Sequence, residues 1–168
     1  MNCCHALYMA KFEVVQDFQI WADNFLIEQL AKVSDEEFNA IFGGFEAGSL
    51  KHLTGFLVDT LYLWIQRLKG TSLEEFPHFD KLPRAELLKL WQEYNDELKF
   101  YFEDKIIENV SYRNTKGSKF WNTKYDILVH LSAVTSYYRG MIVLQLRQLG
   151  KAVEDRDYIH MRRLDQLS

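Results

Sequence analysis

This 168-residue chain is short of residues that interrupt helices, with only two prolines and eight glycines. Proline removes a helical N–H and glycine gives up the most backbone entropy when fixed. Their scarcity, and their placement between apolar-periodic stretches, predicts an all-α domain with short connections. Cysteine is scarcer still. Cys3 and Cys4 are adjacent, which suits neither a disulfide framework nor a CxxC metal knuckle and reads as two free thiols in a reducing compartment. No uninterrupted apolar run approaches the roughly 18 residues of a membrane span, and the N-terminal stretch lacks the basic start and apolar core of a signal peptide. The expectation is a cytoplasmic protein with no membrane partner. There is no excess of positive charge, the formal net charge being −4 with a pI near 5.7. The basic residues are scattered among acids, so no nucleic-acid partner is expected. Met161-Arg-Arg163, the one local basic cluster near the end, is flanked by Asp157 and Asp165 and reads as a solvated helix face. P-loop, Rossmann glycine fingerprint, nucleophile elbow and HExxH helix are all absent.

What is present is an apolar content of 48%, enough for residues 1–168 to form one domain that buries roughly 70% of its unfolded surface. Phe18, Trp21, Ala22, Phe25, Gln29 and Leu30 trace a mostly apolar stripe at helical period, predicting a first long helix from about Tyr8 to Val33. Ser34-Asp-Glu-Glu37 reads as a capping box opening a short helical turn. A second long helix is predicted from about Glu46 to Leu68, ended by Gly70 in a left-handed position. Pro83 opens a third, running to about Ile107. Val110, Tyr112, Phe120 and Trp121 flank Asn114-Thr-Lys-Gly117, the pattern of a small hairpin or extended excursion. A fourth long helix follows from about Thr123 to Leu149, closed by Gly150, and a short one from about Glu154 to Leu164 packs across one end.

Two stripes carry the candidate chemistry. On the second long helix, His52, Phe56, Asp59 and Leu63 recur at spacings of four, three and four, placing an imidazole and a carboxylate on a face otherwise suited to the core. On the fourth, the matching stripe is Ile127, His130, Val134, Tyr138, Met141 and Gln145. His52 reads either as a core histidine bonded to a neighbour or as part of a pocket. Glu74-Glu75, and Glu93 with Glu97, read as solvated helix-surface charges. Four Trp, nine Tyr and twelve Phe are many for this length, and a surplus beyond the core suits a self-association surface or an apolar pocket.

The motifs resemble the DinB-like family of four-helix bundles, which includes the YfiT-type metal-dependent hydrolases and thiol transferases that use low-molecular-weight thiols. Phe18-Gln-Ile-Trp21-Ala-Asp-Asn24 is similar to its opening helix, and Gly48-Ser-Leu-Lys-His52 with Asp59, Trp64 and Leu68-Lys-Gly70 to its second. His130, Tyr137-Tyr-Arg139-Gly140 and Leu146-Arg-Gln-Leu-Gly150 resemble the later motif. That motif reads His, three residues, His, three residues, His-Arg-Gly-Gln. Here Val134 and Tyr138 stand where two ligand histidines are implied, and Met141 stands for the Gln.

The resemblance implies an up-down bundle in which His52 faces Val134 and Tyr138 across a gap that would hold Ni²⁺ or Zn²⁺. It also implies a homodimer. His52 is the one family ligand retained, and a catalytic zinc normally takes three protein ligands, so no cofactor is expected. His130, one turn before Val134, is either a replacement ligand or a second-sphere and packing residue. Tyr138 is positioned to hydrogen-bond His52 in place of the metal, since an unpartnered buried imidazole costs about 1–3 kcal/mol. Arg139 is expected to pair with a carboxylate and Gly140 to permit close helix packing. The expected pocket comprises His52, Asp59, His130, Val134, Tyr138 and Met141. The reading is a DinB-like bundle without metal chemistry that binds a small apolar or thiol ligand, no catalytic residue being assigned. The alternative is a hydrolase or thiol transferase using His52 with replacement ligands.

Overall fold

Two capping boxes among the described residues fix helix starts. Ser34 Oγ accepts from the Glu37 N–H at 3.1 Å while Glu37 Oε2 accepts from the Ser34 N–H at 2.8 Å, opening α2 (Asp35–Asn39) as the sequence predicts. Thr123 and Asp126 repeat the exchange at the start of α5 (Lys124–Gln148). The computed structural model describes residues 3–42, 48–102, 108–154, 156–164 and 166; for residues 3–12 and 102 only the backbone is described. The side chains of Cys3 and Cys4, the predicted start at Glu46 and the predicted end at Ile107 therefore lie outside the described residues.

Four long helices make the bundle: α1 (Cys3–Ala31), α3 (Leu50–Leu68), α4 (Arg84–Phe102) and α5. α1 and α3 each pack against both α4 and α5, which closes a four-sided bundle around one core. Leu30, Leu50, Leu57, Leu61, Ile65, Leu87, Trp91, Ile127, Leu131 and Ile142 fill it, all buried to 0–1% exposure. Burying each such side chain contributes about 1.5–3 kcal/mol relative to leaving it in water, and this packing holds helices that propensity alone would leave marginal. The short α6 (Tyr158–Leu164) lies against α1, with Tyr158 edge-on to Phe18 at 5.8 Å. It begins four residues later than the predicted Glu154.

The core face of α1 differs from the stripe expected from its aromatics. Among its described side chains, Gln16, Gln19, Ala22, Asp23, Leu26 and Leu30 are buried, and Phe18, Trp21 and Phe25 sit half-buried beside them. Three polar residues on the true inner face pull the apolar signal sideways.

Between α4 and α5, β1 (Asn109–Arg113) and β2 (Lys119–Thr123) form the expected hairpin, with Tyr112 opposite Phe120. Asn114 Oδ1 accepts from the N–H groups of Lys116 and Ser118, and Gly117 takes a φ of +81° that the tight turn requires.

The connection from α3 to α4 is fastened at three points. The Ser72 Oγ accepts from the Arg113 N–H at 2.9 Å, tying it to the hairpin. Asp59 Oδ1 accepts from the Phe79 N–H at 2.9 Å, fixing the 3-10 turn Phe79–Lys81 against α3. At Gly55 that turn lies so near the helix that an added Cβ would sit 2.5–2.6 Å from the Cβ, Cα and N of Asp80.

Candidate functional site

Asp80, brought beside α3 by this close approach, becomes the partner of His52. The His52 Nδ1 lies 3.5 Å from Asp80 Oδ2, and its side chain remains 59% exposed. The imidazole is therefore not the core histidine that the apolar stripe suggests. Its neighbour is a carboxylate from a connection whose folding the stripe could not reveal.

One turn further along α3, Phe56 packs at a tilt on Tyr138, at 4.9 Å between ring centroids, and stacks on Phe76 at 5.5 Å. Three rings thus occupy the space between α3 and α5 beside His52. Val134 and Met141 flank Tyr138 on α5, each half-buried, with Met141 packed on the core. Asp59 is 4% exposed, and its carboxyl is pushed above the ordinary range, chiefly by burial, with the Asp80 charge adding to the rise. It holds backbone and does not open toward solvent.

His130 is elsewhere. Its ring meets Trp64 edge-on at 5.1 Å, and Trp64 in turn carries the Arg67 guanidinium at 4.3 Å and the Tyr112 ring at 5.2 Å. Trp64 lies twelve residues from His52 on the same helix, a rise of about 18 Å. The structure thus sets His130 beside Trp64, at a different level of the α3–α5 seam from His52. The reason is the antiparallel run of α3 and α5: Phe56 meets Tyr138 at one level and Trp64 meets His130 about two turns away.

Partial burial, with the nearby Arg67 charge, holds the His130 pKa below its ordinary 6.5. The folded protein then takes up this proton less readily than the unfolded chain, so stability is full above pH 6.5 and falls as pH drops below it. Urea unfolding of the parent and His130→Gln at about pH 7 and pH 5.5 measures this, the other histidines cancelling in the comparison. The parent is expected to lose more stability on acidification, and equal losses would refute the assignment.

The cation implied by the family resemblance can be tested against the donors present. Three imidazoles at 52, 134 and 138 would suit Ni²⁺ or Zn²⁺. The set here is one half-exposed imidazole, an isopropyl group and a phenol, and it does not fit. Among the described residues, no three His, Cys, Asp or Glu side chains converge.

Two motif residues behave differently from one another. Arg139 pairs with a carboxylate as expected: its Nη1 donates to Asp23 Oδ1 at 2.7 Å, with the pair 8% and 0% exposed. Trp91 Nε1 also donates to that carboxylate, at 3.3 Å, so Asp23 joins α1, α4 and α5 at one point. Burial pushes the Asp23 carboxyl above its ordinary range against the pull of the Arg139 charge. Gly140, expected to admit a neighbouring helix, is instead exposed, and a Cβ there would meet nothing within 4 Å. The close-approach glycine is Gly55, whose single-residue signal within a helical run gave no hint of its neighbour.

A second concavity was not legible in the sequence. Between α1 and α5, under the segment that leads into α6, lies a cavity of about 390 Å³. Phe18, Ala22, Phe25 and Val143 form its apolar wall, while Ser136, Arg139, Arg156 and Glu154 supply polar groups. The Arg156 guanidinium stands 4.3 Å from the Phe25 ring centroid and 5.0 Å from that of Trp21, and it pairs with Glu154 at 2.9 Å. Its walls come from segments far apart in the chain, Phe18 to Leu26 and Ser136 to Asp157, so no local pattern announces it.

The model of the DinB family matches residues 7–166. No curated protein matches the chain.

Proposed function

The chain belongs to the DinB family, and from that premise we propose that it is a bundle without the family's metal-dependent chemistry that binds a small, mainly apolar organic molecule. The observation that carries this is the donor set at the family's site, where His52 lies 3.5 Å from Asp80 and Phe56 packs against Phe76 and Tyr138 one turn along α3. One imidazole cannot hold a catalytic cation tightly. The α1–α5 cavity supports the binding half of the proposal, since its volume lies within the roughly 300–1,000 Å³ of ordinary ligand sites and its lining is apolar with a few polar groups.

The test has two arms. Protein exposed to equimolar Ni²⁺ or Zn²⁺ and dialysed is expected to retain well under one metal per chain. Separately, 8-anilinonaphthalene-1-sulfonate is expected to bind saturably, and Val143→Phe, which narrows the cavity, should weaken it by about tenfold. Stoichiometric metal abolished by His52→Ala, or probe binding indifferent to Val143→Phe, would defeat the proposal.

One observation favours a second reading. Asp80 Oδ2 stands 3.5 Å from His52 Nδ1 on a half-exposed imidazole, a pairing that a carboxylate-assisted general base would use. A metal-free hydrolase or thiol transferase would use it so, and would lose turnover in both His52→Ala and Asp80→Asn.

A further inference from the structure

Residues 109–125 contain Arg113, Lys116, Lys119 and Lys124 and no Asp or Glu, in a chain whose net charge is −4. This stretch is the β1–β2 hairpin with the first turn of α5. Lys124 is neutralised by Glu108 at 2.7 Å. Arg113, Lys116 and Lys119 form no ion pair among the described residues. The hairpin register decides where these charges point, since directly opposed residues, and residues two apart on a strand, share a face. One face turns to the bundle. There Val110 is buried, and the Tyr112 ring lies 5.2 Å from that of Trp64 and 4.4 Å from the Arg67 guanidinium. The other face carries Ser111 opposite Trp121 and Arg113 opposite Lys119, all four exposed. With Gly70 and Ser72 from the connection after α3, these residues line a concavity of about 660 Å³.

Two features of this face are unfavourable to the hairpin by itself. Like charges directly opposed across a strand pair repel, and Arg113 with Lys119 is such a pair. Arg113 Nη1 donates to the Gly117 carbonyl at 2.8 Å, which fixes the guanidinium but leaves its charge uncompensated. Trp121 is 66% exposed and meets no other ring among the described residues, although an indole carries a large apolar area best removed from water. One kind of ligand relieves both. An anionic group would lie between the two cations, and a planar ring would cover the indole. Two cations match a dianion better than a carboxylate, and a phosphate monoester carries a charge of about −1.5 to −2 near neutral pH. The turn that would lead an insertion into a bilayer, Asn114 to Ser118, is polar, and the indole stands back on the strand, so the concavity suits a small molecule.

We propose that the outer face of the β1–β2 hairpin binds a planar aromatic phosphate monoester, of the chemical class of a mononucleotide, with its ring stacked on Trp121 and its phosphate held between Arg113 and Lys119. The site shares no lining residue with the α1–α5 cavity and does not include His52, so it stands apart from the binding reading given above. Its ion pairs lie at the surface, and its affinity is accordingly salt-dependent.

Isothermal titration calorimetry of the full chain with adenosine monophosphate tests this. The nucleotide is expected to bind saturably, with adenosine and inorganic phosphate each at least about tenfold weaker. Trp121→Ala should weaken the nucleotide by about tenfold through the lost stack. Lys119→Gln should weaken it by a similar factor while leaving adenosine unchanged, since only the phosphate meets that charge. Val143→Phe, in the other cavity, should alter nothing. Trp121 and Lys119 are exposed, and unchanged far-UV circular dichroism verifies the fold of each variant. Absence of saturable binding, adenosine bound as tightly as its monophosphate, or a nucleotide affinity indifferent to either hairpin change would overturn the proposal. So would a thymidine oligonucleotide or phosphatidylglycerol vesicles bound in preference to the mononucleotide and lost in Trp121→Ala, which would give the face to a nucleic-acid strand or to a membrane surface.

Discussion

Arg139→Met is expected to lower the stability of the fold by about 3–5 kcal/mol, the scale on which breaking a buried ion pair strands the remaining charge. Asp23 is wholly buried, and its carboxylate has the Arg139 guanidinium at 2.7 Å and the Trp91 indole N–H at 3.3 Å. Methionine fills much of the arginine stem's volume, so the loss is electrostatic. At about 2–4 °C per kcal/mol for a chain of this size, the melting temperature should fall by about 10 °C. The informative control is Asp23→Leu with Arg139→Met. Removing both charges removes the stranded one, leaving chiefly the Trp91 N–H without its acceptor, at about 1–3 kcal/mol. The double variant should therefore be more stable than Arg139→Met alone. Urea unfolding decides: a single variant within about 1 kcal/mol of the parent, or a double variant as unstable as the single, would show that the pair does not anchor the bundle.

Val134→His with Tyr138→His is expected to create metal binding where the parent has little. On α5 the two new imidazoles stand one helical turn apart, and helices hold ligands more rigidly than loops do. Asp80 Oδ2 lies 3.5 Å from His52 Nδ1, so a shortened contact there would leave Nε2 for a cation, the arrangement by which second-sphere carboxylates support metal-binding histidines. Replacing Tyr138 also removes a ring that packs on Phe56. A ligand that binds only the folded state stabilises it by about 2.7 kcal/mol at a hundredfold excess over its dissociation constant. Melting temperature should rise with added Ni²⁺ or Zn²⁺ in the double variant and stay flat in the parent. Equal responses in both would place the metal elsewhere, with Cys3 and Cys4 the first candidates, and would discredit the three-position site.

The fold was legible because its signals are local. Ser34 with Glu37 encodes a capping box, Gly70 and Gly150 take the left-handed φ at the ends of α3 and α5, and Asn114 to Gly117 form the hairpin turn. The Arg139 pairing with a carboxylate was also anticipated, although nothing in the sequence selected Asp23. The site was less legible because its partners are distant in sequence. Asp80 reaches His52 only through the 3-10 turn that Asp59 fastens. His130 shares a stripe with Tyr138, but helical periodicity gives direction around an axis and says nothing about which level of the opposing helix is met. On α1, Gln16, Gln19 and Asp23 occupy the inner face, so the most apolar direction was not the most buried one.

Gly55 has a consequence for how this sequence can diverge. The backbone of Asp80 sits where any β-carbon at 55 would go, so the constraint is indifferent to the chemistry of the incoming residue. A lineage accumulating neutral changes is free to vary many positions on α3 by exchanging one side chain for another of similar bulk. At position 55 no such series exists, because even alanine requires the helix and the 3-10 turn to part, and the carboxylate beside His52 would move with that turn. The orientation of an imidazole three residues away is thereby tied to the absence of a methyl group.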